Sequence, residues 1–98
     1  MKYLVFARPR VGAVLPDNPL ALWQATKEWT EAHLADGILD CAYNLPAGGG
    51  VAIINANTHE ALTELLNVYP LQPFTQYEIH ILSDVKHLFE LAIKAASG

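Results

Sequence analysis

The alternation and clustering of apolar positions along this chain mark out strands and helices in turn. Residues 2–7 (Lys-Tyr-Leu-Val-Phe-Ala) are rich in β-branched, aromatic and aliphatic side chains and predict a buried central strand. Residues 8–18 hold two prolines and a glycine and read as a loop. Asp17 or Asn18 then caps a helix from about Pro19 to Ala35, closed at Asp36-Gly37. Residues 38–45 and 51–55 read as strands joined by the hairpin connection Pro46-Ala47-Gly48-Gly49-Gly50. A second helix starts at an Asn57 or Thr58 cap and ends near Val68, before Pro70. The segment from Tyr69 to Phe74 is a stiff, proline-pinned connection into a last strand at residues 75–82. Ser83 or Asp84 caps a closing helix to about Ala95.

The order β-α-β-β-α-β plus a C-terminal helix predicts an α+β domain of the ferredoxin-like kind, spanning residues 1–98 as one unit. Two interleaved right-handed crossovers place both main helices on one face of a four-stranded antiparallel sheet. The other face is left bare and is expected to meet a second copy. Alternation on the last strand groups Tyr77, Ile79 and Ile81 toward the helices, with Gln76, Glu78, His80 and Leu82 on the bare side. On the second strand the same rule groups Leu39, Cys41 and Tyr43 against Asp40, Ala42 and Asn44. On the first helix, Leu22, Ala25, Thr26, Trp29, Ala32 and His33 form the inward stripe, because the stripe of Trp23, Lys27, Thr30 and Leu34 carries a lysine.

Composition narrows the function classes. The chain is 52% hydrophobic and 16% charged, which excludes disorder and favours apolar surface hidden in an oligomer. A net charge of −4 without any Lys/Arg run argues against nucleic acid and against an anionic membrane surface. Apolar runs fall well short of the ~20 residues of a bilayer span, and Arg8-Pro9-Arg10 interrupts the first one too early for a signal peptide. A cytoplasmic location is the expectation. Cys41 is the only cysteine, so no internal disulfide and no cysteine-based zinc site can form.

Pro70-Leu71-Gln72-Pro73-Phe74 followed by Glu78-Ile79 resembles the Pro-Leu-x-Pro-aromatic…Glu-Val/Ile block of muconolactone Δ-isomerases. Glu60-Ala61-Leu62 resembles the start of that family's second helix, and Gly37 falls on the glycine closing its first. The resemblance covers roughly residues 20 to 80. It implies a dimeric α+β barrel, often assembled into a larger ring, that isomerises an unsaturated lactone by moving a proton between carbons without a cofactor. An acidic residue on the inward face of the family's first helix is a proposed participant. Here Thr26 holds that position, and a threonine hydroxyl is not a general base at neutral pH. Lys27 and Glu28 fall on a matching Lys-Glu pair, with Glu28 pointing off the inward stripe.

The candidate proton-handling residues are His33, whose unperturbed pKa of ~6.5 suits a shuttle, and Glu78 with His80, two apart on one strand and facing the same way. The competing accounts are a helix-terminal His33 packed on Trp29, and a polar pair at a dimer seam. Thr26, Trp29, Tyr3, Tyr77 and Phe74 are expected to contact a small-molecule ligand, and any of Tyr3, Tyr43, Tyr69 and Tyr77 could offer a phenol to an oxyanion. No His pair is closely spaced, so no metal site is expected. Gly48-Gly49-Gly50 has neither a following helix nor a Lys-Ser/Thr, and reads as a hairpin and not a phosphate loop. Three readings stay open: a cofactor-independent isomerase, a small-molecule-binding module, and an assembly domain of the same fold.

Overall fold

A computed structural model describes residues 1–98. Its elements are β1 (Lys2–Pro9), α1 (Leu20–Asp36), β2 (Leu39–Asn44), β3 (Gly50–Asn55), α2 (His59–Asn67), a 3-10 turn at Gln72–Phe74, β4 (Thr75–Leu82) and α3 (Val85–Ala96). The strands form one antiparallel sheet in the order β2-β3-β1-β4, the ferredoxin-like arrangement. No helix is long and apolar enough to cross a membrane.

The ends of the helices follow local chemistry. Ala61 N–H donates to the Thr58 hydroxyl at 3.0 Å, and Lys86 N–H to the Asp84 carboxylate at 2.9 Å, so both helices begin at side-chain caps. α1 differs from its expected start: Pro19 stands at the cap position, and Asn18 Oδ1 lies a long 3.5 Å from Leu20 N. It ends where Gly37 turns left-handed at φ 84°.

Pairing fixes the faces. Tyr3 lies opposite Ile54 and Ile81, and Val5 opposite Ala52 and Ile79, so these side chains share the helix side. Tyr3, Val5, Leu39, Ile54, Leu62 and Leu66 make the buried core, with Trp29 and Tyr77 packed against it. Leu4, Phe6, Val51 and Ile53 occupy the opposite, uncovered face with Glu78 and His80.

Two expectations change. Leu39 pairs with Ile54 but Cys41 pairs with Ile53, so Asp40 is an extra residue in a bulge. The bulge resets the alternation: Ala42 turns to the helix side, and Cys41 and Tyr43 turn to the open side, away from Leu39. Lys2 and Asn55 hold it. Lys2 donates to Asp40 and to Asn55 Oδ1, and the Asn55 amide donates to Asp40 and to the Gly37 carbonyl at 3.0 Å. Lys2 foremost, then Asn55, keeps the Asp40 carboxyl below its usual range. The second change concerns Ile79 and Ile81. They face the helix side but stay 45% and 63% exposed on the edge strand β4.

The glycine hairpin is tight. Leu45 N–H donates to Gly49 O and Gly48 N–H to Leu45 O, both at 2.8 Å. Gly49 has φ 82°, and a Cβ there would stand 2.2 Å from the Ala7 carbonyl oxygen. Gly37 shares the positive φ but has open space where its Cβ would be. Gly49→Ala should therefore lower stability by about 2 kcal/mol or more, and Gly37→Ala by about 1 kcal/mol. Urea denaturation of the two variants checks this, and equal losses would remove the close approach to Ala7 as the cause.

Candidate functional site

The cleft originates in small residues. On the helix side, β1 presents Ala7, β3 presents Gly50 and Ala52, and β2 presents Ala42 once the bulge has turned it inward. These leave a floor too low to meet α1, and a cavity of about 250 Å³ remains between sheet and helix. Trp29 and Thr30 of α1, Tyr69 after α2, and Tyr77 of β4 form its walls. A second cavity of about 360 Å³ continues from it, sharing Ala7, Asn44, Gly50 and Tyr69, and reaches Thr26, Trp23 and Phe74.

The walls are flat and aromatic. Trp29 meets Tyr69 edge-on with centroids 4.9 Å apart, and Tyr69 lies 6.5 Å from Tyr77. Burial pushes both phenols above the ordinary tyrosine value, and Tyr77 is raised further by the nearby Tyr69. Both therefore stay protonated through neutral pH, as donors and not bases. Tyr77 directs its hydroxyl to the Leu66 carbonyl at a long 3.4 Å. The indole Nε1–H of Trp29 is buried without any hydrogen-bond partner, an arrangement that costs about 1–3 kcal/mol unless something accepts from it.

Thr26, at the position where the resemblance expects an acid, donates its hydroxyl to the Leu22 carbonyl at 2.8 Å. Thr30 does the same to Thr26 O at 2.8 Å. Both hydroxyls are spent within their own helix, which leaves only oxygen lone pairs for a ligand. No carboxylate or imidazole lines either cavity.

The sequence-derived candidates separate in space. Trp29 and Tyr77 line the first cavity, and Thr26 and Phe74 line the second. Tyr3 lines neither: it is 1% exposed, sealed in the core, with its hydroxyl 2.8 Å from His59 Nδ1. His33 does not open onto the cleft, contrary to the expectation that it points into the ligand space. Its ring stacks edge-on against Trp29 at 4.7 Å, and its Nδ1 lies 3.0 Å from Asp36 Oδ2 at the helix end. Glu78 and His80 lie on the far side of the sheet. There His80 Nε2 is 2.7 Å from Glu78, Arg8 bonds Glu78 at 3.2 Å, and Arg8 sits over the Phe6 ring at 4.6 Å. The His80 hydrogen bond is the main cause holding Glu78 below the usual carboxylate range.

Asn44, Thr30 and the small floor residues belong to the site without any sequence signal of their own. Thr30 sits on the stripe that Lys27 marks as outward, and Ala42 and Asn44 reach the cleft only through the bulge. No three His, Cys, Asp or Glu side chains converge anywhere in the chain.

Comparison with known proteins finds likeness in structure only. No protein-family model and no curated protein sequence matches the chain. Among solved structures, muconolactone isomerase superposes with a TM-score of 0.72 at 19% identity, over 86% of this chain and 90% of that one. 5-Chloro-2-hydroxyhydroquinone dehydrochlorinase from Burkholderia phenoliruptrix AC1100, solved with 2,5-dihydroxybenzoquinone, superposes with a TM-score of 0.69 at 13% identity, over 89% and 98%. The chain has the α+β fold of muconolactone isomerase, in agreement with the resemblance carried by its proline block.

Proposed function

We propose that this is an isomerase-like protein whose cleft takes a small, flat, unsaturated ring compound bearing a carbonyl, of the lactone or quinone type. The observation that carries the reading is the unpartnered Trp29 N–H, buried in an aromatic wall over a floor of small residues. A ligand oxygen would satisfy that donor, and the ring would lie between Tyr69, Tyr77 and the sheet. The size suits one ring and not a dinucleotide. Both structural neighbours are named for enzymes of small unsaturated ring compounds, which agrees with this ligand class.

Moving a C=C bond next to a carbonyl requires removing a proton from carbon, holding the charge that develops on oxygen, and returning the proton elsewhere. Trp29 and Tyr69 supply the donors for that oxygen. The base is the open part. His33 does not open onto the cleft but packs against the Trp29 ring that walls it, and is the candidate to test, whereas Glu78 and His80 stand on the far face of the sheet. A binding role without chemistry is the second reading, favoured by the absence of carboxylate and imidazole from the lining. Muconolactone and 2,5-dihydroxybenzoquinone are the probes. In a Trp23→Phe background, either should quench Trp29 fluorescence, and Tyr69→Phe should weaken binding about 5- to 10-fold. No binding of either compound at millimolar concentration would refute the ligand class. Transfer of solvent deuterium into bound muconolactone separates enzyme from binder, and a His33→Ala variant exchanging at the wild-type rate removes His33 from the mechanism.

The phenols make a pH prediction. Their folded pKa values lie above the unfolded value of 10.0, so folding holds their protons, and their contribution to stability and binding is fully present below that value. Stability should stay level through neutrality and fall as pH rises past 10.0 toward the folded values, while binding to the folded protein should hold until those raised values are reached; thermal melts and titrations across that range check both.

Self-association completes the proposal. Only 8 of 98 residues are buried, a small core for this length. The open face offers Leu4, Phe6, Val51 and Ile53 around the Arg8–Glu78–His80 cluster, and pairing of two such faces would cover it. Light scattering should report a dimer, or a multiple of one, at micromolar concentration. A monomer there would overturn this part of the reading.

A further inference from the structure

A single ring occupies only the first cavity, of about 250 Å³. The second, of about 360 Å³, continues from it past Asn44 and Tyr69, so a group leaving the ring on that side enters it. Its apolar walls come from three places in the chain. Leu15 belongs to the loop before α1, Trp23 to α1, and Leu71 and Phe74 to the proline-pinned connection before β4. Such walls favour an apolar group that leaves water and offer little to a polar one.

The polar side chains around this cavity are uncharged or already engaged. Thr26 donates its hydroxyl to the Leu22 carbonyl at 2.8 Å, and Thr75 donates to the Leu71 carbonyl at 2.6 Å. Burial keeps the Tyr69 phenol protonated, and Asn44 carries a neutral amide. Arg8 is the one charged residue of the lining. Its guanidinium bonds Glu78 at 3.2 Å and sits over the Phe6 ring, on the opposite face of the sheet. Arg10 lines neither cavity and donates to the Thr75 carbonyl at 3.2 Å. A carboxylate placed here would lose its water without gaining a cation, which is unfavourable.

We propose that the second cavity is a subsite for an uncharged apolar substituent, a short alkyl or aryl group carried by the ring that sits against Trp29. This rests on the ligand class proposed above and narrows it. Thr26 belongs to the same arrangement: where an acid would put a charge into the cavity wall, a hydroxyl turned back onto its own helix puts none.

Three butenolides test it by calorimetric titration of the full chain at neutral pH: the unsubstituted ring, its γ-propyl derivative and its γ-carboxymethyl derivative (muconolactone). The last two are similar in size and differ in charge. Each buried methylene strengthens binding by about 3- to 4-fold, so the propyl compound should bind about 10-fold tighter than the bare ring even if part of the chain stays wet. The carboxymethyl compound should bind no tighter than the bare ring. Equal binding of the propyl compound and the bare ring overturns the subsite and leaves the ligand class standing. No binding of any of the three overturns both. Carboxymethyl binding as tight as propyl binding also overturns it, and loss of that affinity in Arg10→Gln would assign the cavity to a carboxylate instead. The indole N–H signals of Trp23 and Trp29 in a nitrogen-15 spectrum give a positional readout. The bare ring should shift Trp29 alone and the propyl compound both; a Trp23 signal indifferent to the propyl group counts against the proposal. Leu15→Lys, in the loop before α1, should improve carboxymethyl over propyl binding by about 5-fold, the scale of a partly exposed ion pair. An unchanged ratio would remove Leu15 and its cavity from the ligand's path.

Discussion

The register of β1 against its two neighbours is the constraint on which the rest of the molecule depends. Opposing Tyr3 to Ile54 and Ile81 commits every second residue of three strands to the helix side. A slip of one residue would carry the core set to the open face and expose it. The Asp40 bulge then makes one local exception, held by Asn55 of the neighbouring β3 and by Lys2, which reaches across from β1. Without it Ala42 and Asn44 would leave the helix side, and Cys41 and Tyr43 would take their place. The cleft therefore depends on a polar contact at the sheet edge as much as on the apolar core.

Within that frame, the chemistry is divided between two faces. The helix side holds neutral donors: two phenols kept protonated by burial and an indole N–H without a partner. The open side holds the charges, with Arg8 paired to Glu78 and His80 hydrogen-bonded to the same carboxylate beside Phe6. A low-polarity cleft strengthens hydrogen bonds to a carbonyl oxygen, so the arrangement suits polarising a ligand more than ionising it. Thr26 fits the same pattern. Where an acid would place a charge under α1, a threonine turns its hydroxyl back onto the helix and adds none.

The exposed apolar surfaces follow from the small size of the chain. Two helices cover the middle of a four-stranded sheet and leave the open face, the Ile79–Ile81 strip and α3 uncovered. A chain of this length encloses only a small core, which leaves much of its apolar area at the surface.

The sequence alone determined the element order, the helix exits at Gly37 and Val68, and the placement of Glu78 and His80 on the open face, and it narrowed two helix caps to Asn57 or Thr58 and Ser83 or Asp84, of which the structure uses Thr58 and Asp84. Those features rest on local rules: strand alternation, capping hydrogen bonds, the φ freedom of glycine and the φ restriction of proline. It also carried the proline block by which the fold was legible. Only the tertiary structure decided the bulge at Asp40, because an extra residue in one strand is defined by its partner strand. For the same reason it alone decided that Ala42, Asn44 and Thr30 reach the cleft, and that Tyr3 is sealed from it by α2 and His59. His33 shows the limit most plainly. Helical spacing puts it on the stripe of Trp29, but whether it meets a ligand is set by Asp36 and the Trp29 ring, which hold it at the helix end. Periodicity gives the direction of a side chain; what occupies the space in that direction comes from residues distant in sequence.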